Sequence, residues 1–295
     1  MTRMAHSLRG HIAMLVFSAL VAGSFSLGSL AANEIAPLAL VFVRFLLAAM
    51  LIGALVAMRG GVPVAARRAS WRYVALGGLF AVYFVLMFEG LKSAPPVSAA
   101  AVFTMTPIMS AVFGWFLLRQ VTTALIAASL AIGALGALWV IFDADVHAFL
   151  AFRIGSGEMI YLVGCAAHAL YTPLIRKLNR GEDPLVFTLG TLIGGAIVLA
   201  VVAGPSAFAT DWFSLPGIVW VTIAYTTIFA TAITFYLVQY ATMHLPSSKV
   251  MAYTWLTPSW VILWEIGFGN GVPSVLVLAG VALTILALLG LLKEA

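Results

Sequence analysis

Charge is scarce in this chain. Asp, Glu, Lys and Arg make up 8% of its 295 residues, against roughly a quarter in a soluble domain. That excludes a soluble globular fold and a disordered chain alike. There is one cysteine, Cys165, inside an apolar run, so no disulfide framework within the chain exists. No Walker motif is present, which excludes ATP hydrolysis by the chain itself. No H-E-x-x-H and no pair of carboxylates in the middle of an apolar run occur, so the residues an embedded hydrolase would need are missing. What is abundant is apolar: 63% of residues, with a mean hydropathy of +1.12. The net charge of +5 on so apolar a chain marks one face of a membrane rather than a nucleic-acid partner.

A membrane-crossing helix takes about 20 apolar residues. Uncharged runs predict ten, near 11–31, 37–57, 72–92, 97–117, 121–141, 157–177, 184–203, 216–241, 247–267 and 273–292. The fold class is an all-α integral membrane protein, with no room for an extramembrane domain. Turn signals separate the runs, among them Gly60-Gly61-Val62-Pro63, Gly181-Glu182-Asp183-Pro184 and Gly204-Pro205-Ser206. Arg3, Arg9 and the apolar run after them imitate a signal peptide. The run is longer than a usual signal core, so a retained first span is expected. With the N-terminus inside, Arg3, Arg9, Arg59, Arg67, Arg68, Arg72, Arg119, Arg176, Lys177, Arg180, Lys249 and Lys293 fall on the inner side, and Lys92 and Arg153 on the outer. The positive-inside bias therefore predicts both termini in the cytoplasm of a bacterial inner membrane.

The chain repeats itself. Aligning Pro95 with Pro246 brings Ala101 onto Ala252 and the dipeptide Thr106-Pro107 onto Thr257-Pro258, near the middle of the fourth and ninth spans. Pro37-Leu38 and Pro184-Leu185 likewise open the second and seventh. The expected division is one five-helix repeat over 1–147 and a second over 148–295. Five is odd, so the second is inverted relative to the first. Inverted repeats with interrupted mid-membrane helices are the pattern of secondary transporters.

Ten spans in about 300 residues, two five-helix halves and mid-helix prolines in spans four and nine resemble the drug/metabolite transporter superfamily of EamA type. The resemblance covers the whole chain. Two short runs, Phe103-Thr104-Met105-Thr106-Pro107 and His168-Ala169-Leu170-Tyr171, resemble the YddG-type bacterial aromatic amino-acid exporters. The resemblance implies export of amino acids, aromatic ones and their analogues in particular.

Several residues could carry transport. Pro107 and Pro258 lack an N–H and would free the carbonyls of Phe103 and Thr254. The result is either a hinge beside a central site or a kink repaired by Ser or Thr. His168 lies mid-span, where it would contact substrate, relay a proton or bond a neighbouring hydroxyl. Tyr83, Tyr171, Tyr236, Tyr253 and Trp255 are mid-span aromatics with polar tips, suited to lining a pocket or to ordinary helix packing. With Phe103, Thr104 and Thr106 they make up the candidate substrate-binding set. Arg44, within the second span, is expected to snorkel toward the outer face, to pair with Glu89 or to couple an ion. The fifth and tenth spans contain almost no polar side chain and are expected to form a peripheral pair, leaving the cavity to spans 1, 3, 4, 6, 8 and 9. Asp143, Asp145 and His147 read as a solvated turn rather than a metal site. No metal or cofactor is expected. The partners are a small-molecule substrate and the lipid bilayer. The oligomeric state is left open, a monomer being compatible.

The leading functional class is a secondary transporter exporting small amphipathic metabolites by alternating access. The alternatives are a membrane-embedded enzyme and a non-transporting, receptor-like bundle. The enzyme lacks a catalytic constellation, and the receptor leaves the symmetric prolines without a purpose.

Overall fold

The computed structural model describes residues 2–121, 123–142, 144–150 and 154–292, with residues 2–7, 148 and 149 described by backbone alone. Asp143, Arg153 and Lys293 lie outside the described residues. Nine helices among the described residues are long and apolar enough to cross a membrane: Leu8–Ala31, Pro37–Met58, Trp71–Gly90, Pro96–Leu118, Ala124–Ile141, Ser156–Leu178, Pro184–Ala209, Gly217–His244 and Val275–Leu292. They are spans one to eight and ten. The ninth span, over 247–267, runs in pieces: an α-helix Ser247–Ala252, a 3₁₀ turn Tyr253–Leu256 and an α-helix Thr257–Gly267. The fourth span is likewise divided, into Pro96–Phe103 and Thr106–Leu118.

The spans start where local chemistry permits. Pro37, Pro96 and Pro184 each open a helix, where the absent N–H has no partner to lose. Asp183 Oδ1 accepts from the N–H of Leu185 at 2.8 Å and caps the seventh span. One expected boundary needs correction, and two local features go beyond what the hydropathy pattern shows. The seventh span continues through Gly204-Pro205 to Ala209. A proline near a helix end removes one hydrogen bond, whereas stopping earlier would leave four carbonyls bare nearer the lipid. Thr210 Oγ1 takes up the carbonyl of Ser206 at 2.8 Å instead. The eighth span is not uniform either: Ile228–Ile233 is a π-helical turn. Finally, the link between the halves holds a short helix, Val146–Leu150.

The arrangement has a two-fold pattern. The second span packs on the seventh, the fourth on the ninth and the fifth on the tenth. The third packs on the sixth as the eighth packs on the first, and the fourth meets the sixth as the ninth meets the first. Each contact maps onto another, or onto itself, when the two repeats are exchanged. The fifth and tenth spans form the expected peripheral pair. Lipid offers no hydrophobic drive between helices, so close approach depends on small residues. A Cβ on Gly136 would stand 2.6 Å from the Gly280 carbonyl, and one on Gly90 would stand 2.6 Å from that of Gly157.

Two ties hold opposite ends of the bundle. At the arginine-rich end, Arg72 pairs with Glu182 at 2.7 Å, both side chains buried. The same guanidinium donates to the carbonyls of Ala69, Arg68 and Leu178. Burial alone would raise the Glu182 carboxyl; hydrogen bonds from Arg72 and from the Arg180 N–H outweigh it and hold the group below the usual carboxylate range. This anchors the start of the third span to the turn between the sixth and seventh. At the other end, Ser98 Oγ donates to Glu158 Oε1 at 2.8 Å.

The contact between the third and seventh spans is the tightest. A Cβ on Gly77 would collide with the Gly195 nitrogen and the Thr191 carbonyl oxygen. Backbone cannot yield as a side chain can, so Gly77→Ala should cost about 1–3 kcal/mol or more and lower the melting temperature of the purified protein. Gly204, within the same seventh span, has nothing within 4 Å of such a Cβ. Gly204→Ala should leave melting unchanged or raise it, by up to about 1 kcal/mol. Equal melting temperatures for the two variants would show that the third and seventh spans do not approach this closely in the membrane.

Candidate functional site

The two broken spans meet at the centre of the bundle. Each break precedes a Thr-Pro pair, so Pro107 and Pro258 stand in the first turn of the second half-helix. There a proline starts a helix without losing a bond. The carbonyls expected to be free are taken. Thr106 Oγ1 donates to the Phe103 carbonyl at 2.7 Å, and the N–H of Thr257 donates to the carbonyl of Thr254. Thr104 Oγ1 donates to the Ala101 carbonyl at 2.6 Å. Repair by threonine therefore describes the fourth span, and no bare carbonyl there awaits a substrate ammonium.

Side chains also join the breaks to each other. The hydroxyls of Thr106 and Thr254 lie 3.1 Å apart. The indole N–H of Trp255 donates to the Thr104 carbonyl at 2.9 Å, and Thr284 Oγ1 of the tenth span donates to the Trp255 carbonyl at 3.0 Å. The Trp255 ring lies so close to the fifth span that a Cβ on Gly133 would come within 2.5 Å of it. Trp255 thus faces the peripheral pair and clamps the crossing. Thr104 and Thr106 belong to the same clamp.

Beside the crossing stands a cluster of rings centred on His168. Phe103 stacks on the imidazole at 5.3 Å with 13° between planes, Tyr83 lies at 4.5 Å and Phe80 at 5.0 Å. Phe17 and Tyr171 complete the surround at 6.4 Å. Phe80 stacks on Tyr171 at 4.0 Å. The tyrosine hydroxyls are satisfied: Tyr83 meets Tyr161 at 3.1 Å, and Tyr171 accepts from Gln239 Nε2 at 2.9 Å. His168 is not. It is 1% exposed, and neither ring nitrogen has a partner among the described residues. An unpaired buried donor or acceptor costs about 1–3 kcal/mol.

Four of the candidate residues, Tyr83, Phe103, His168 and Tyr171, therefore come together, at mid-height in spans three, four and six. Two others do not join them. Tyr253 Oη bonds His11 Nδ1 at 3.0 Å, and Tyr236 stacks on Tyr240 at 6.5 Å. Phe80, Phe17 and Tyr161 were not among the candidates. Phe80 is three residues before Tyr83, on the same helical face, and that spacing was its available signal. Phe17 and Tyr161 carried none that separated them from packing residues.

Arg44 is fully buried behind this cluster, with its guanidinium 3.7 Å from the centre of the Phe84 ring. The expected pairing with Glu89 does not form, because Glu89 binds Lys92 at 2.9 Å. Arg44 instead donates to Thr231 Oγ1 at 2.6 Å and 2.9 Å and to the Ala230 carbonyl at 3.1 Å. Both acceptors lie in the π-helical turn, whose wider winding releases carbonyls from the ordinary ladder. In the link between the halves, Asp145 Oδ1 accepts from the N–H of His147 at 2.8 Å, as a turn residue does. No metal-binding cluster occurs among the described residues.

Comparison with known proteins places the architecture. A sequence profile of the EamA-like transporter family matches residues 8–142 and again 155–293. The chain is 26% identical over 283 residues to "Uncharacterized transporter YyaM" of Bacillus subtilis (strain 168), covering 95% of this chain and 92% of that protein. It is 24% identical over 283 residues to an uncharacterized transporter of Archaeoglobus fulgidus, covering 93% and 96%. A solved crystal structure superimposes with a TM-score of 0.72 at 20% identity, over 99% of this chain and 98% of that one. At that identity the likeness is one of fold.

The clamp generates a prediction that separates it from the ring cluster. Trp255→Phe keeps a ring against Gly133 but leaves the Thr104 carbonyl without its donor in an apolar interior. The cost should be about 1–3 kcal/mol, read as a lower melting temperature. Tyr236→Phe, which removes a hydroxyl outside the clamp, should melt as wild type does. If Trp255→Phe is equally stable, the indole does not hold the crossing.

Proposed function

The chain belongs to the EamA-like transporter family, and we propose that it exports small amphipathic metabolites by alternating access, amino acids above all and aromatic ones by preference. It is a multi-pass membrane transporter, not an enzyme. The observation that carries the substrate reading is His168: a buried imidazole with two unpaired nitrogens, walled by aromatic rings. An aromatic substrate entering between Phe103, Tyr83 and Phe80 exchanges protein ring contacts for its own, each about 0.5–1.5 kcal/mol. The exchange is close to balanced, so the additional driving force is the hydrogen bond that His168 gains, about 1 kcal/mol. Modest net binding suits a carrier that must also release its load. The arginine-rich face is taken as cytoplasmic, with both termini inside, in a bacterial inner membrane. Nothing in this mechanism calls for a cofactor or a second copy of the chain.

The breaks at Pro107 and Pro258 supply the moving parts of the proposal. A span already divided into two half-helices bends at its break without losing further backbone bonds. The repeats are inverted, so bending in the fourth span closes one side and bending in the ninth closes the other.

Efflux from proteoliposomes, measured across a panel of labelled amino acids and other metabolites, tests the substrate and the site separately. Phenylalanine, tyrosine or tryptophan should move faster than aliphatic or charged amino acids. His168→Ala should slow that transport at least about tenfold, equivalent to about 1.4 kcal/mol, in protein that still purifies as a folded species. Transport confined to other metabolites would remove the aromatic preference and leave His168 to be judged on them. Wild-type rates in His168→Ala would move the site elsewhere.

The hinges have their own outcome. Pro107→Ala and Pro258→Ala restore an N–H and favour a continuous helix. They should shift cysteine accessibility from the two sides of the membrane in opposite directions while slowing transport. Unchanged accessibility and rate in both would show the prolines to be ordinary helix starts.

A further inference from the structure

Two cavities adjoin at the arginine-rich end, outside the transport path. The first is an apolar groove of about 180 Å³ between the third and seventh spans, walled by Val74, Leu189, Ile193 and Ile197. It runs from Val186 to Ile197 along the seventh span, about 16 Å at the rise of a helix. Ala66 and Arg67 of the short turn Val64–Arg67 line its upper end together with Ser70. The second is a polar recess of about 360 Å³ lined by Arg68, Arg180, Glu182 and Asp183. Ala66 and Val186 line both, so the recess sits directly above the groove. Tyr73 fixes this relation: its ring packs on Gly190 in the groove, and its hydroxyl donates to the Ala66 carbonyl at 2.9 Å.

The charges around the recess are unbalanced. Glu182 is committed to Arg72 and to the Arg180 N–H, and Asp183 caps the seventh span. Arg67, Arg68 and Arg180 are exposed, and no ion pair among the described residues joins any of them to a carboxylate. The turns carrying them, between spans two and three and between spans six and seven, stand where the helices leave the membrane. A basic recess at headgroup depth above an apolar groove at acyl depth has the polarity of an anionic phospholipid. A zwitterionic lipid would fill the groove but would bring an ammonium to three arginines.

We propose that this paired site holds one anionic phospholipid, its phosphate among Arg67, Arg68 and Arg180 and one acyl chain along Val74, Ile193 and Ile197. The bound lipid spans the contact between the third and seventh spans and is part of the folded protein in the membrane. The proposal is independent of which metabolite is transported.

Native mass spectrometry of detergent-purified protein, titrated with phosphatidylglycerol or phosphatidylcholine, tests it. Wild type should retain one phosphatidylglycerol at least about tenfold more tightly than phosphatidylcholine, and excess inorganic phosphate should not displace it. The triple variant Arg67→Gln/Arg68→Gln/Arg180→Gln should lose the preference. Ile193→Trp, which fills the groove and leaves the charges, should lower retention of phosphatidylglycerol, whereas Lys92→Gln at the opposite face should not. All the replaced residues are exposed, and a melting curve checks folding. Should a variant fail to fold, the wild-type preference and the phosphate competition still decide. Equal binding of the two lipids by wild type, or displacement by phosphate, overturns the proposal. A retained preference in the folded triple variant, or unchanged retention in folded Ile193→Trp, overturns it as well.

Discussion

A helix that breaks in the middle of a membrane must return every freed backbone group to a partner, because lipid offers none. The crossing of the fourth and ninth spans meets that demand from within. Thr104 and Thr106 take up carbonyls of their own span, the Thr257 N–H takes up that of Thr254, and the Trp255 indole reaches across to the Thr104 carbonyl. With these bonds made, two divided helices stand side by side at mid-height. The rest of the bundle is arranged about them. The peripheral fifth and tenth spans back the clamp through Gly133 and Thr284. On the other side, the break sets Phe103 flat against His168.

The ring cluster follows from this placement and from one deficit. Its tyrosines have found hydroxyl or amide partners, while its histidine has found none. Packed interiors rarely leave both nitrogens of an imidazole unpaired. The proposed binding site rests on this central, unsatisfied polar group standing among aromatic walls. The wall is stiffened from behind. Arg44 lies over Phe84 and is fastened to the π-helical turn of the eighth span, so the second, third and eighth spans are tied at that level.

Much of this was legible in the amino-acid sequence. Uncharged runs located the spans, the recurrent Thr-Pro located the breaks, and the near absence of polar side chains marked the fifth and tenth spans as peripheral. Mid-span polarity brought Tyr83, His168 and Tyr171 forward, and the structure joins them to Phe103. The misses share a cause. Hydropathy reports depth, and helical spacing reports a face, but neither says which neighbour that face meets. Trp255 turned outward to Gly133, and Tyr253 turned to His11, because of contacts made across the fold. The partner of Arg44 lies 187 residues away in sequence, whereas Glu89 merely lay at a similar depth. Phe17 and Phe80 are phenylalanines among many, and nothing local distinguishes a ring that walls a site from one that packs.

The central claim is that the rings around His168 form a chamber which opens to each side in turn and holds the substrate between. The most direct measurement places a single cysteine at Phe103, on the stacked face of the imidazole, in a background with Cys165 replaced by serine. Its modification by a membrane-impermeant thiol reagent is followed from either side of sealed vesicles. Slow modification from both sides, suppressed in each case by saturating transported substrate, is the predicted result. A cysteine there that is inaccessible from both sides during active transport, or modified at the same rate with and without substrate, would contradict it.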